Sequence, residues 1–412
     1  MKKFLTSLIC MLSLTGLACA AEPAIDPPPP KTLAENVDAL NWKYFATLDR
    51  NENIFYSPYG ITAALSILAN GATGVTLNEI LTALDADNVD NLNAEHKNFS
   101  ERVERIYRGD NIFAEANLLL IDKKIIGRGI DKNFRRIVTT DYKSDVREAD
   151  FGGDIDNERK KITRWVSDKT AGFIPNYKSI ASAATLTDLL NVVYFKGKWE
   201  IPFKPQNTSR EDFTNRDGSK VQVDMMHATF KDRIVYRADD KFKGIALPYR
   251  ANAAMYLILP ADDNALDVAE LWNNQTADYR ADFLDGLKNS YAFDGKVVVR
   301  LPKFELDIEN NLVKNLKAIG IRRAFENNTE LFKIVKDTSL KIGDAKHRAK
   351  VQVDEQGTKA AAVTEITLLE TTAVPNPQPV RTVYFYAERP FLFVIRDVES
   401  GVTLFTGVAN HF

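Results

Sequence analysis

Residues 347–374 read HRAKVQVDEQGTKAAAVTEITLLETTAV. No proline or glycine occurs from Thr358 to Val374, whereas Gly357 precedes the run and Pro375, Pro377 and Pro379 follow it. Taken with a period of two, Thr358, Ala360, Ala362, Thr364, Ile366 and Leu368 form one face. The other face holds Lys359, Ala361, Val363, Glu365, Thr367 and Leu369, and so both charges that precede Glu370. This is the pattern of a half-buried strand with the first set turned to a core. Ala360, Ala361 and Ala362 are nevertheless small and poor strand formers. A permanent core strand would want bulk there, while a segment that slides between two existing strands gains from small, uncharged inner residues. A short helix starting at Thr358 is the competing local reading.

Outward from this segment the chain alternates helical and strand-like stretches. Thr32 and Glu35 form a capping-box pattern ahead of the helical face Leu33, Val37, Leu40, Tyr44, Phe45 and Leu48. Ser57-Pro58 predicts a second helix, cap then proline, ending near Gly71, and Thr76 with Glu79 predicts the start of a third. Further helices are expected around Asn157–Lys169 and Asn311–Ile319. Strands are expected at Ile112–Ile121, Leu189–Phe195, Ala254–Leu259 and Lys296–Val299. Leu189–Phe195 is apolar nearly throughout, which predicts a strand covered on both faces. The class is α+β with large covered sheets.

The 412 residues carry a formal net charge of −2, with 45% hydrophobic and 27% charged side chains. That balance gives no reason to expect nucleic acid as a partner. Lys2 and Lys3 ahead of the apolar run Phe4–Leu17, with Ala18-Cys19-Ala20 after it, read as a bacterial-type export signal over residues 1–20. Residues 21–31, including Pro27–Pro30, read as a stiff spacer, and 32–412 as a single domain. Localisation is therefore expected outside the cytoplasm: secreted, periplasmic or tethered at the surface. Both cysteines, Cys10 and Cys19, fall inside the signal, so cleavage after Ala20 leaves no thiol for a disulfide, a nucleophile or a zinc site. Alternatively Cys19 becomes a lipidated first residue, although Gly16 stands where that motif usually has leucine.

Tools of enzymatic catalysis are missing. The four histidines, His96, His227, His347 and His411, form no His-Glu-x-x-His pattern, and neither a Gly-x-Ser-x-Gly elbow nor a phosphate loop occurs. No cofactor or metal is expected. Arg135-Arg136 and Arg159-Lys160-Lys161 with Arg164 are basic clusters that read as solvated helix faces, a polyanion site being the alternative.

The run from His347 to Ala362 resembles the strand-and-hinge motif of the serpins, a family of serine protease inhibitors. Asn53-Ile-Phe-Tyr-Ser57-Pro58, Asn191-Val-Val-Tyr-Phe-Lys-Gly-Lys-Trp199-Glu, Met255–Pro260, Leu301-Pro-Lys-Phe304 and Arg389-Pro-Phe-Leu-Phe393 are similar to further serpin motifs, in the same order, from about Thr32 to Phe412. The resemblance implies three β-sheets, about eight to nine helices, an exposed reactive-centre loop and no catalytic residues. It implies a suicide mechanism as well. A serine or cysteine endopeptidase attacks the loop, and the cut loop enters the main sheet as a strand, carrying the protease about 50 Å. The native state would be metastable and monomeric. A non-inhibitory serpin, acting as carrier or binding protein, is the alternative; small hinge residues favour inhibition.

By the same resemblance Glu355, Gly357, Thr358, Ala360, Ala361 and Ala362 form the hinge, with Glu355 near Trp199 at the breach. Ser57, Asn191 and His347 form a hydrogen-bonded shutter. Gly60 stands where the family commonly has serine, which removes one shutter hydroxyl, and Glu388 replaces an Asn or Asp. The family's spacing from Glu355 places the scissile bond at Thr371–Thr372. Threonine there, with Leu368, Leu369, Ala373 and Val374 around it, suits elastase-like or subtilisin-like proteases, and the absence of Lys or Arg between Lys359 and Arg381 argues against trypsin-like ones.

Overall fold

In this computed structural model the described residues are 29–109, 112–250, 252–289, 291–326, 330–336, 338, 340, 342, 345–358 and 380–412. Ten α-helices occur among them. They are α1 (Leu33–Phe45), α2 (Pro58–Gly71), α3 (Gly74–Leu84), α4 (Val89–Ile106) and α5 (Lys123–Ile126). The rest are α6 (Lys132–Thr140), α7 (Ile155–Lys169), α8 (Val268–Asn273), α9 (Ala277–Asn289) and α10 (Leu312–Ala318). The strands begin with β1 (Ile54–Tyr56), β2 (Ile112–Asp122), β3 (Asp145–Ala149), β4 (Thr187–Lys198) and β5 (Thr208–Thr214). There follow β6 (Lys220–Lys231), β7 (Val235–Ala238), β8 (Phe242–Pro248), β9 (Ala253–Pro260), β10 (Lys296–Pro302) and β11 (Phe304–Asn311). Last come β12 (Lys346–Asp354), β13 (Gly357–Thr358), β14 (Thr382–Tyr386), β15 (Phe391–Asp397) and β16 (Thr403–Ala409).

Three sheets result, as expected. The main one runs β11-β12-β13-β4-β2-β3, a second six-stranded one β1-β16-β15-β9-β8-β7, and a four-stranded one β14-β10-β6-β5. Local chemistry accounts for most ends. Thr32 and Glu35 make the full capping box of α1, and the Ser57 hydroxyl accepts from Gly60 N–H ahead of Pro58 in α2. Every residue of α2 except Ala64 is buried, the signature of a helix enclosed on all sides.

The third helix departs from expectation. It starts at Gly74, with Thr73 at the cap, rather than at Thr76. Long-range partners take the residues of the supposed capping box: Glu330 accepts from Thr76 N–H, while Glu79 accepts from Arg322 and Arg323 N–H.

β4 is covered on both faces. Leu190 and Val192 pack with Ile162, Trp165 and Val166 of α7 on one side. Val193 and Phe195 join the large core cluster with Tyr59, Met255 and Phe393 on the other. In the main sheet, β13 is the only described strand between β4 and β12, and it is two residues long. Gly357 pairs with Lys198 and Asp354, and Thr358 with Gly197 and Val353, both ladders antiparallel. The helical alternative therefore fails at Thr358.

Candidate functional site

Two clusters border the gap between β4 and β12. At the end closed by β13, Gly357 has φ +149°, and a Cβ there would stand 2.1 Å from the Gly197 carbonyl oxygen. Only glycine lets the chain enter so tightly. Thr358 points into the core, 2% exposed, and its hydroxyl lies 2.6 Å from the Tyr249 hydroxyl. Burial pushes the Tyr249 phenol far above its ordinary range, which keeps it neutral and able to donate.

Tyr249 stacks on Trp199 with ring centroids 4.4 Å apart. The Trp199 indole N–H donates to the Asp354 carbonyl at 3.0 Å, and its backbone N–H to the Gln356 carbonyl at 2.9 Å. Glu355 accepts from the Thr208 hydroxyl at 2.8 Å and pairs with Lys303 at 3.0 Å. Burial alone would raise the Glu355 carboxyl, but its backbone N–H, Thr208 and Lys303 together hold it below the usual range. Trp199 thus sits beside residues 354–356, clamping the turn that leads into β13.

Farther along the gap, the Ser57 N–H donates to His347 Nε2 at 2.9 Å, and the Ser57 hydroxyl donates to the Leu404 carbonyl at 2.7 Å. His347 is buried, and desolvation lowers its pKa to about 4, so it is the neutral imidazole that accepts this bond. Asn191 is not bonded to either. Its amide N–H₂ donates to Glu115 at 3.2 Å and to Asn117 at 2.8 Å. Asn191 Oδ1 is shielded from solvent and has no partner among the described residues. The expected three-way shutter is therefore a Ser57–His347 pair with Asn191 turned toward β2.

Gly60 is part of that arrangement. A Cβ at this position would lie 2.4 Å from Asn191 Oδ1 and 2.7 Å from Val193 Cγ2. The departure from serine makes room for the Asn191 carbonyl.

Sequence reasoning missed Glu115, which also accepts from Tyr59 and Asn117. Burial pushes its carboxyl up, with these three donors working in the other direction. The available signal was parity: Glu115 and Asn117 share the face of β2 that carries Phe113, Leu119 and Ile121. Tyr249 was missed as well; nothing local distinguishes it from an ordinary core tyrosine. Ala360, Ala361, Ala362, Thr371 and Thr372 lie outside the described residues. No group of three or more His, Cys, Asp or Glu that could hold a metal occurs among the described residues. No described helix is long and apolar enough to cross a membrane.

Comparison with known proteins places this geometry. The family model described as "Serpin (serine protease inhibitor)" matches residues 37–411. Among curated relatives, Ipis-1 of Ixodes persulcatus is 31% identical over 362 residues, covering 87% of this chain and 92% of its own. Antithrombin-III of Homo sapiens is 30% identical over 372 residues, covering 87% and 77%. Among solved structures, native tengpin, a thermophilic serpin, superposes with TM-score 0.79 at 24% identity over 95% of this chain and 97% of its own. Thyroxine-binding globulin, solved with thyroxine, gives 0.76 at 25% identity over 92% and 98%.

Proposed function

The chain belongs to the serpin family, and on that premise we propose that it is a suicide inhibitor of endopeptidases, working by insertion of its cleaved loop into the main sheet. One observation carries the reading: Gly357–Thr358 pairs with β4 on one side and β12 on the other, and no other described strand lies between them. β4 and β12 run parallel, each antiparallel to β13, so a continuation of β13 would find both ladders ready to pair.

The register of Gly357–Thr358 specifies that continuation. Extended residue by residue, it sets Ala360 between Phe195 and Val351, Ala362 between Val193 and Ala349, and Thr364 between Asn191 and His347. The inner face would then carry small residues where the core is already packed, and a hydroxyl beside the unpartnered Asn191 Oδ1. Insertion would give Asn191 Oδ1, unpartnered among the described residues, a donor and so release free energy.

A protease attacking near Thr371–Thr372 forms an acyl-enzyme with its own nucleophile. Insertion then carries it about 50 Å along the sheet before deacylation. Elastase-like or subtilisin-like enzymes are the proposed targets, and the inhibitor acts as a monomer after export through residues 1–20, either released or lipidated at Cys19. Incubation with a protease panel followed by a denaturing gel tests this: a covalent band with elastase or subtilisin is expected. Clean cleavage without a band would leave a non-inhibitory binding serpin instead.

A further inference from the structure

Asn191 Oδ1, which has no partner among the described residues, belongs to a polar network on the face of the main sheet that meets α2. Asn117 of β2 stands opposite Asn191 of β4, and Glu115 opposite Val193. Asn191 Nδ2 donates to Asn117 Oδ1 at 2.8 Å and to Glu115 Oε1 at 3.2 Å. Asn117 Nδ2 donates to the same Glu115 oxygen at 2.9 Å and to the Tyr142 carbonyl at 3.1 Å. The second carboxylate oxygen accepts from the Tyr59 hydroxyl of α2.

Two carboxamides that face each other can pair in either sense, because each carries a donor and an acceptor. In the reversed sense Asn191 Oδ1 would accept from Asn117, and the Asn191 N–H₂ would be turned away from β2 instead. A carboxylate oxygen removes that freedom, since it can only accept. Glu115 Oε1 draws the nitrogens of both amides toward itself, which turns the Asn191 carbonyl away from β2. There it lies against Gly60, where a Cβ would stand 2.4 Å from it. Gly60, Asn191 and His347 together border a cavity of about 620 Å³ that continues the gap between β4 and β12.

We propose that Glu115 is a positioning residue for loop insertion: by fixing the sense of the Asn191 amide, it presents an acceptor to the entering strand. This role rests on the proposed function, in which the register of β13 sets Thr364 between Asn191 and His347. His347 is the neutral imidazole, and its Nε2 accepts from the Ser57 N–H. Its proton is therefore on Nδ1, so the ring has only a donor to offer a strand residue beside it. A hydroxyl set between the two accepts from the ring and gives its own proton to Asn191 Oδ1. A reversed amide would meet that hydroxyl with donors on both sides and leave its proton without an acceptor.

Unfolding midpoints in guanidinium, measured on uncut protein and on protein cut by elastase, test this role through the gain on cutting. Glu115→Ala leaves a hole for water, which donates as readily as it accepts and so sets no sense. Glu115→Ser, whose hydroxyl also does both, replaces it if the alanine variant does not fold. The gain should shrink in Glu115→Ala and in Thr364→Val by on the order of 0.2 M, the loss of one hydrogen bond. In the double variant it should shrink by no more than in either single one, because both remove the same contact. Tyr59→Phe touches only the other carboxylate oxygen, so it should lower both midpoints alike and leave the gain at its wild-type value. A loss in Glu115→Ala that is equal in cut and uncut protein, or losses of gain that add in the double variant, would overturn the positioning role and leave insertion standing. A wild-type protein that gains nothing on cutting would remove insertion itself, and this role with it.

Discussion

The hydroxyls of Tyr249 and Thr358 stand 2.6 Å apart in the core, so the proposed hinge would have its first inward residue already seated in the intact protein. Thr358→Arg would place a guanidinium against the buried phenol with no carboxylate facing it, at a cost of several kcal/mol. The expected result is a protein still cut by elastase but unable to hold it. A stoichiometry of inhibition equal to wild type would remove the hinge assignment. Thr358→Val, which keeps the shape and loses one hydrogen bond, should destabilise the uncut protein by about 1 kcal/mol in urea unfolding.

Cutting the loop should raise the melting temperature by an amount on the order of tens of degrees, since the inserted strand completes two ladders at once. Thr364→Val isolates one contact in that gain. The cut form should lose about 1 kcal/mol and the uncut form none, because the register of Gly357–Thr358, continued by insertion, would set Thr364 between Asn191 and His347. Equal melting of cut and uncut wild-type protein would end the metastability argument.

Much of this arrangement was legible in the sequence, for reasons that differ by residue. The period of two that starts at Gly357 predicted a strand, and its described part, Gly357–Thr358, is β13, because strand geometry writes itself in that period. Ser57-Pro58 marked α2 because caps are local. Thr76 and Glu79 misled for the converse reason: their side chains serve segments near residues 322–330, which no local window contains. The partners of Asn191 were hidden similarly. Its amide faces β2 because Gly60, on a helix far away in sequence, leaves room for its carbonyl.

Acid should loosen the shutter. Burial lowers the His347 pKa from an ordinary 6.5 to about 4, so its contribution to stability is fully present above about pH 6.5 and is lost as pH falls toward 4. Buried His96, whose two ring nitrogens have no hydrogen-bond partner among the described residues, acts in the same sense with a pKa pushed down to about 3. Glu115, raised by burial, acts oppositely, its contribution fading as pH rises past the ordinary carboxylate range. Between pH 6.5 and 4 the histidines lower stability as pH falls, and Asp188, pushed up to about 6 by burial, opposes them. His347→Gln, whose amide oxygen can accept from Ser57 N–H, should flatten the fall in urea stability by a few kcal/mol. An unchanged pH profile in that variant would show that the fall arises elsewhere.

The site of attack follows from the same register. Continued beyond Thr364, the inward set is Ile366, Leu368 and then Glu370, the first charge that would have to enter the sheet on its inner face. Insertion should stop near that residue, which sets the acyl bond just after it, at Thr371–Thr372. Pro375, Pro377 and Pro379 cannot donate to a ladder and so also keep the bond upstream. A small β-branched residue at the cut, flanked by Leu368, Leu369, Ala373 and Val374, fits pockets that take aliphatic side chains, whereas the nearest basic residues, Lys359 and Arg381, lie at the two ends of the run. Intact-mass analysis of the peptide released from a denatured elastase complex reads the bond directly. A fragment beginning at Thr372 is expected, and one beginning at Thr371 or Ala373 would keep the same stopping point within a residue. A stable trypsin complex with cleavage after Arg381 would overturn the assignment, since the proline-containing stretch would then have to enter the sheet.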